Sequence, residues 1–139
     1  MSAPLLFATP EDVEAAFYEA IARGDLEAMM AVWAEDEEVA CIHPTGQHLS
    51  GLAAVREGWR QILKPSRMQI EATVVLKWQG MLMVAHQLVE TLRLGHEMAG
   101  PLLVTHVYLR GPHGWRLACR HCSASARSAP PEMEGRILH

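Results

Sequence analysis

The chain has 139 residues, of which half are hydrophobic and 20% charged, and a net charge of -4. That length supports one well-packed core, burying roughly two-thirds of the unfolded surface, so a single domain is expected. The acidic balance, with Lys and Arg scattered, provides no basic field for phosphate backbones and argues against nucleic acid as a partner.

The opening MSAPLLFATP has no basic flank and only a short apolar run. It fits neither a secretory signal nor a membrane span, so a cytoplasmic protein with no membrane partner is expected. Thr9-Pro10-Glu11-Asp12 reads as a helix start, with Thr9 as N-cap, Pro10 at the first helical position and acids in the first turn. Val13, Ala16, Phe17, Ala20 and Ile21 then form one apolar stripe, which Gly24 ends. Asp25 caps a short second helix with Leu26, Met29, Met30 and Trp33 on its apolar side. Glu35 to Glu38 is an acidic run at a helix end, where the dipole disfavours it, and reads as a solvated loop.

Val39 to His43 is a short apolar strand ended by Pro44 and Gly46. Ser50 is expected to cap a third helix carrying Leu52, Val55, Trp59, Ile62 and Leu63, closed by Lys64 and Pro65. Four β-rich runs follow: Arg67 to Trp78, Met81 to Leu94, Leu102 to Arg110 and Trp115 to Ala124. Breaks at Gly80, Gly95 to Pro101 and Gly111 to Gly114 make them an antiparallel meander. Helices followed by long strands give an α+β fold, with three N-terminal helices on one face of a strongly curved, mainly antiparallel sheet. Residues 1–124 form the expected domain. The tail, 125–139, is expected to be extended or disordered, or draped over a partner subunit.

The odd number of cysteines, Cys41, Cys119 and Cys122, favours reduced thiols. Cys119-Arg-His-Cys122 has CxxC spacing, but in a strand its two thiols point to opposite faces, away from the helix N-terminus that lowers a redox thiol's pKa.

In this order Gly24-Asp25-Leu26, Trp33-Ala34-Glu35-Asp36, His43-Pro44-Thr45-Gly46, Gly51-Leu52-Ala53-Ala54-Val55 and Trp59 resemble the first half of a known family. Gly114-Trp115-Arg116-Leu117 and His121-Cys122-Ser123 resemble its closing strand. The family is the SnoaL-like branch of the nuclear transport factor 2-like superfamily, and the resemblance spans about residues 9 to 124. It implies a cone-shaped α+β barrel with a pocket between helices and sheet, usually dimeric through the outer sheet face. The superfamily includes ketosteroid isomerases, polyketide cyclases, dehydratases and the association domain of calcium/calmodulin-dependent protein kinase II, so fold alone does not fix function.

His43 stands where the isomerases place a proton-transferring aspartate, and a neutral imidazole can do that work. The family's oxyanion tyrosine corresponds to Phe17, which has no hydroxyl. Tyr18 lies about 100° further around the helix and is not expected to replace it. The family's acid falls near His106.

Alternation places Val84, His86, Leu88 and Glu90 on one face of their strand, and Leu102, Val104, His106, Tyr108 and Arg110 on one face of the next. On the last strand it groups Trp115, Leu117, Cys119, His121 and Ser123. If these faces coincide, His86, Glu90, His106, Tyr108 and His121 form a polar patch in an apolar cone, the composition of a small-molecule site.

The site expected is therefore His43 and His106 for acid/base chemistry, with Phe17, Trp33, Trp59, His86, Glu90, Tyr108 and His121 around the ligand. Each has a plainer reading: a satisfied buried histidine, or a tryptophan packing the core or a dimer face. Three histidines on adjacent strands can bind zinc. Without an HxH or HExxH pair, neither metal nor cofactor is expected. The expected partners are a small-molecule ligand, largely apolar with a carbonyl group, and a second copy of the chain. The rival reading is a non-catalytic ligand-binding or dimerisation module.

Overall fold

A computed structural model of the chain describes residues 6–35, 38–63 and 68–124. Lys64, Pro65, Arg67, Asp36, Glu37 and the tail from 125 lie outside them. Among the described residues the order is α1 (Pro10–Arg23), α2 (Leu26–Val32), β1 (Ala40–Ile42), β2 (His48–Ser50), α3 (Leu52–Leu63), β3 (Gln69–Gln79), β4 (Met83–Leu94), β5 (Glu97–Gly111) and β6 (Gly114–Ala124). The strands form one six-stranded mixed sheet in the order β2-β1-β6-β5-β4-β3. Only β1 and β6 pair in parallel. The sheet is curved around the helices and does not close, leaving β2 and β3 as edges.

The helix signals act as read. Thr9 Oγ1 accepts from the Asp12 N–H at 3.1 Å, and Asp25 Oδ1 accepts from the Ala28 N–H at 3.0 Å. Gly24 ends α1 at φ 65°, where other residues are strained. Val13, Phe17, Ala20 and Ile21 of α1, Met29 and Val32 of α2, and Val55, Trp59 and Leu63 of α3 are buried against Val39, Cys41, Val84, Tyr108, Trp115 and Leu117. Burying each large apolar side chain contributes about 1.5–3 kcal/mol.

Three expectations need correction. Residues 48–50, where no strand is expected, form β2, and Ser50, expected to cap the third helix, ends that strand. The Gly51 carbonyl instead takes the first helical N–H, from Val55, at 3.0 Å. The break read at Gly95 to Pro101 is only a tight turn, because β5 already begins at Glu97.

The third correction concerns which side chains face inward. β3, β5 and β6 each carry one extra residue relative to a neighbour, at Val75, within Gly100-Pro101 and at Ala118. Such bulges bend a strand and increase its twist. Each also reverses the alternation beyond it. On β6, Trp115 and Leu117 face inward before Ala118, and Arg120 and Cys122 do so after it. His121 is consequently exposed on the outer face, with Cys119 half-buried beside it.

Candidate functional site

α1 lies in the hollow of the sheet, which reaches around more than one stripe of the helix. Phe17 is fully buried, and its neighbour Tyr18 also points inward, donating to Glu90 Oε2 on β4 at 2.5 Å. Tyr18 thus joins the inner polar network although it lies about 100° around the helix from Phe17, but its hydroxyl is taken by Glu90 and it does not line the cavity described below. The fourth position before Tyr18 is Glu14, which follows the same face inward.

Five buried polar side chains lie on or beside the inner sheet face: His43, His86, Glu90, His106 and Arg120. Arg120 grips Glu90 with two hydrogen bonds, from Nη1 to Oε2 at 2.7 Å and from Nη2 to Oε1 at 2.9 Å. Burial opposes the Arg120 charge, but Glu90 outweighs it and holds the guanidinium above its usual pKa. Arg120 Nη1 also donates to His106 Nε2 at 3.0 Å. An arginine can only donate, so His106 accepts at Nε2 and carries its proton on Nδ1. That proton goes to the Tyr108 oxygen, at 2.8 Å, and the Tyr108 hydroxyl in turn donates to Glu14 Oε1 at 3.0 Å. His86 Nδ1 lies 2.5 Å from the same Glu14 oxygen. Burial first, then the Arg120 charge, keep His106 neutral and well below its usual pKa. Burial, then the neighbouring carboxylates, hold the Tyr18 and Tyr108 hydroxyls well above theirs.

The network's Glu90–Arg120 end forms the floor of a cavity of about 200 Å³. Trp59, Ile62, Met68, Ile70, Leu92 and Leu102 wall it, and His43 and Pro44 stand at its edge. His43 is held by the turn that follows β1: its carbonyl accepts from the Gly46 N–H at 2.8 Å and its N–H donates to Gln47 at 3.0 Å. Gly46 supplies the positive φ of 92° that this turn needs. The His43 ring meets Trp59 edge-on at 5.5 Å, with Cys41 Sγ 3.9 Å from both its nitrogens. Gly58 allows α3 to come this close: a Cβ there would sit 2.3 Å from Leu49 Cδ1 and 3.5 Å from His43 Nε2. Burial, followed by the Arg120 charge, lowers the His43 pKa. The same burial pushes the Cys41 thiol up to about 12, making it a poor nucleophile.

The structure thus brings His43, Trp59 and Glu90 to one cavity, with His106, Tyr108 and His86 in the network behind its floor. Phe17 packs between Trp59, at 5.5 Å, and His106, at 5.1 Å, with the Arg120 guanidinium 5.0 Å over its ring. Trp33 is buried in the core, bridged to Leu117, and does not line this cavity. His121 faces away from it. Arg120, Glu14 and Tyr18 were missed by alternation and position counting. Glu14 and Tyr18 had a sequence signal, since they lie three residues before Phe17 and three before Ile21, at the edge of the α1 stripe.

A second cavity, about 250 Å³ and lined by Glu35, Arg110, His113 and Arg116 among others, lies at the far end of β5 and contains none of these residues. No group of three His, Cys, Asp or Glu side chains among the described residues is arranged to hold a metal ion. None of the described helices is long and apolar enough to cross a membrane.

Chemically, most of the polar groups are already engaged. Both Glu90 oxygens, the Tyr18 and Tyr108 hydroxyls and both His106 nitrogens have partners. Among the described residues, His43 is the one ionisable side chain at the cavity without a partner of ordinary hydrogen-bond strength, and its lowered pKa leaves it neutral and able to accept a proton.

Helices packed in the hollow of a curved mixed sheet, over a pocket, define the nuclear transport factor 2-like α+β class. The chain belongs to the SnoaL-like domain family, which it matches over residues 11–127. It is similar to a protein of Thiobacillus denitrificans described as a candidate calcium/calmodulin-dependent protein kinase type II association domain. The identity is 39%, over 86% of this chain and 97% of that one, with a TM-score of 0.81. A candidate dehydratase of the nuclear transport factor 2-like family from Streptomyces avermitilis is 25% identical over 83% and 93% of the two chains, with a TM-score of 0.73. A nuclear transport factor 2-like protein of unknown function from Pseudomonas putida shares the fold at 14% identity, over 86% and 89%, with a TM-score of 0.70. No curated protein matches the sequence.

Proposed function

We propose that the cavity binds a small, largely apolar carbonyl compound and that His43 moves a proton on it, in an isomerase-, cyclase- or dehydratase-type step needing no cofactor. The observation that carries this reading is the placement of a neutral histidine at the edge of an apolar cavity with a closed ion pair at its floor. Apolar walls with a few fixed polar groups are the composition of small-ligand sites. An imidazole held neutral near physiological pH is suited to both halves of a proton transfer. His106 serves as a support here, because both its nitrogens are engaged. The likeness to a candidate dehydratase supports a step of this kind.

The test is native mass spectrometry of gently purified protein for a bound compound, followed by turnover of that compound. Loss of turnover in His43→Ala, with folding retained, is the expected result. A protein that binds no small molecule, or a His43→Ala variant with unchanged turnover, overturns the proposal.

A second observation supports an assembly role in addition. The outer sheet face exposes Leu76, Trp78 and Leu103, which is unusual for a face that meets only water. We read this face as the contact of a homodimer, a reading supported by the likeness to a candidate association domain. Its test is the mass in solution, given below.

A further inference from the structure

We infer that the homodimer holds only while His121 is neutral: the contact between the two copies buries this histidine of β6, and acid separates them by protonating it. This rests on the homodimer reading above and names what regulates that contact.

The register of the sheet places His121 on the outer face. It stands opposite Thr105 on β5, Thr105 opposite Gln87 on β4, and Gln87 opposite Leu76 on β3. On its other side His121 is level with Ile42 on β1, and Ile42 with His48 on β2. Side chains in one such row share a face. A line of polar groups therefore crosses the sheet and ends at the exposed Leu76. The rows that flank it are largely apolar: Cys119, Val107, Ala85 and Trp78 on one side, and Leu103 and Val89 on the other.

Size carries the contact over His121. A stable dimer takes about 20–30 residues from each copy. Alternate residues of a strand point inward, so β3, β4 and β5 offer only about five outward positions each. A contact of ordinary size that includes Leu76, Trp78 and Leu103 takes in β6 as well. His121 lies on that strand, next to the Leu103 row.

Inside the contact the two charge states of a histidine differ sharply. A neutral imidazole both donates and accepts, so it can be paired there. A buried imidazolium gives up its hydration. Two-fold symmetry presents each charge twice with the same sign, so protonation puts two positive charges into one contact. Among the described residues, the groups beside His121 on this face are Ile42 from β1, Thr105 from β5, and Cys119 and Ser123 from its own strand. Burial raises the Cys119 pKa and keeps that thiol uncharged. Further off, His48 shares the row, Arg116 stands with its guanidinium 5.0 Å over the Phe7 ring, and Arg93 and Glu71 close an ion pair at 3.0 Å on β4 and β3.

Analytical ultracentrifugation of the full chain at pH 7.5 and 5.5 tests this, with far-UV circular dichroism reporting the fold. Two histidines kept neutral in the contact, one from each copy, should raise the dimer Kd by up to about a hundredfold over that interval. His121→Gln, which pairs but does not titrate, should be a dimer at pH 7.5 and shift by less than about tenfold. His121→Lys should be a monomer already at pH 7.5, a result independent of how the fold tolerates acid. A wild type that is monomeric at pH 7.5 overturns the homodimer reading itself. A wild-type Kd that holds between the two pH values, as when a carboxylate of the second copy takes up the charge, overturns this inference while the homodimer stands. So does a His121→Gln variant that dissociates in acid as wild type does, or a His121→Lys variant that remains a dimer.

Discussion

The two faces of the long strands reverse the usual distribution of polarity. On the inner face His86, Glu90 and His106 are 0% exposed and Arg120 4%, while on the outer face Leu76, Trp78 and Leu103 are 49%, 53% and 42% exposed. Burying charge is unfavourable unless every lone pair and proton finds a partner. The inner face meets that condition almost completely, through a chain of contacts from Glu14 to Tyr18. The outer face has no such internal solution, because an apolar surface can be satisfied only by another surface. The inner face is therefore finished within one chain except where the cavity interrupts it, whereas the outer face, on the homodimer reading proposed above, is finished between chains.

The sharpest way to break this contrast is to remove the charge at the centre of the inner network. Arg120→Ala leaves Glu90 buried without its cation, Tyr18 as its remaining donor, and His106 Nε2 without any donor. The expected loss of stability is about 3–5 kcal/mol, the penalty for orphaning one member of a buried pair. Urea unfolding at pH 7 measures it. A loss under about 1 kcal/mol, typical of exposed pairs, would mean that water already satisfies this interior, and the contrast between the faces would disappear.

A smaller effect comes from acid. The unfolded chain takes up a proton at His106 near the ordinary histidine pKa of about 6.5, whereas the folded chain resists it until well below that value. Protons therefore favour the unfolded state, and the stability contributed by the neutral ring, complete above pH 6.5, falls as pH drops toward the folded pKa. His43 shifts the same way. His106→Gln keeps an acceptor for Arg120 and a donor for Tyr108 without titrating. Between pH 6.5 and 5, wild type should lose stability more steeply than this variant, by up to about 1.4 kcal/mol per pH unit for one proton. Parallel pH profiles would show that His106 is not the group resisting protonation.

How much of this was legible depends on whether a feature is local. Thr9, Gly24 and Asp25 act through bonds to residues three or four positions away, so the sequence shows both partners and the helix ends follow. Alternation correctly grouped His86, Glu90, His106 and Tyr108, because no bulge separates them within their strands. It failed on β6, where the extra residue Ala118 exchanges the faces of Arg120 and His121. Nothing in Leu117-Ala118-Cys119 announces that residue, since its placement is fixed by pairing with β5. Tyr18 was set aside by treating α1 as having one buried stripe. A curved sheet encloses a wider arc of the helix, and that arc is set by tertiary structure. His43 was found through resemblance and local turn chemistry, and its cavity only through packing.

The smallest expected effect on folding belongs to the outer face, and it completes the contrast. Leu76 and Trp78 are about half exposed in a single chain, so replacing both with serine should change the stability of the isolated fold by no more than about 0.5 kcal/mol per site. The same pair should alter assembly outright: light scattering at micromolar concentration is expected to give a dimer for wild type and a monomer for Leu76→Ser/Trp78→Ser. A monomeric wild type overturns the dimer reading, while a variant that stays dimeric removes β3 from the interface. A pair of changes that leaves folding intact and abolishes assembly is the mirror image of Arg120→Ala, where one change disrupts folding from within. The two outcomes together would show that inner polarity is a property of the chain and outer apolarity a property of the pair.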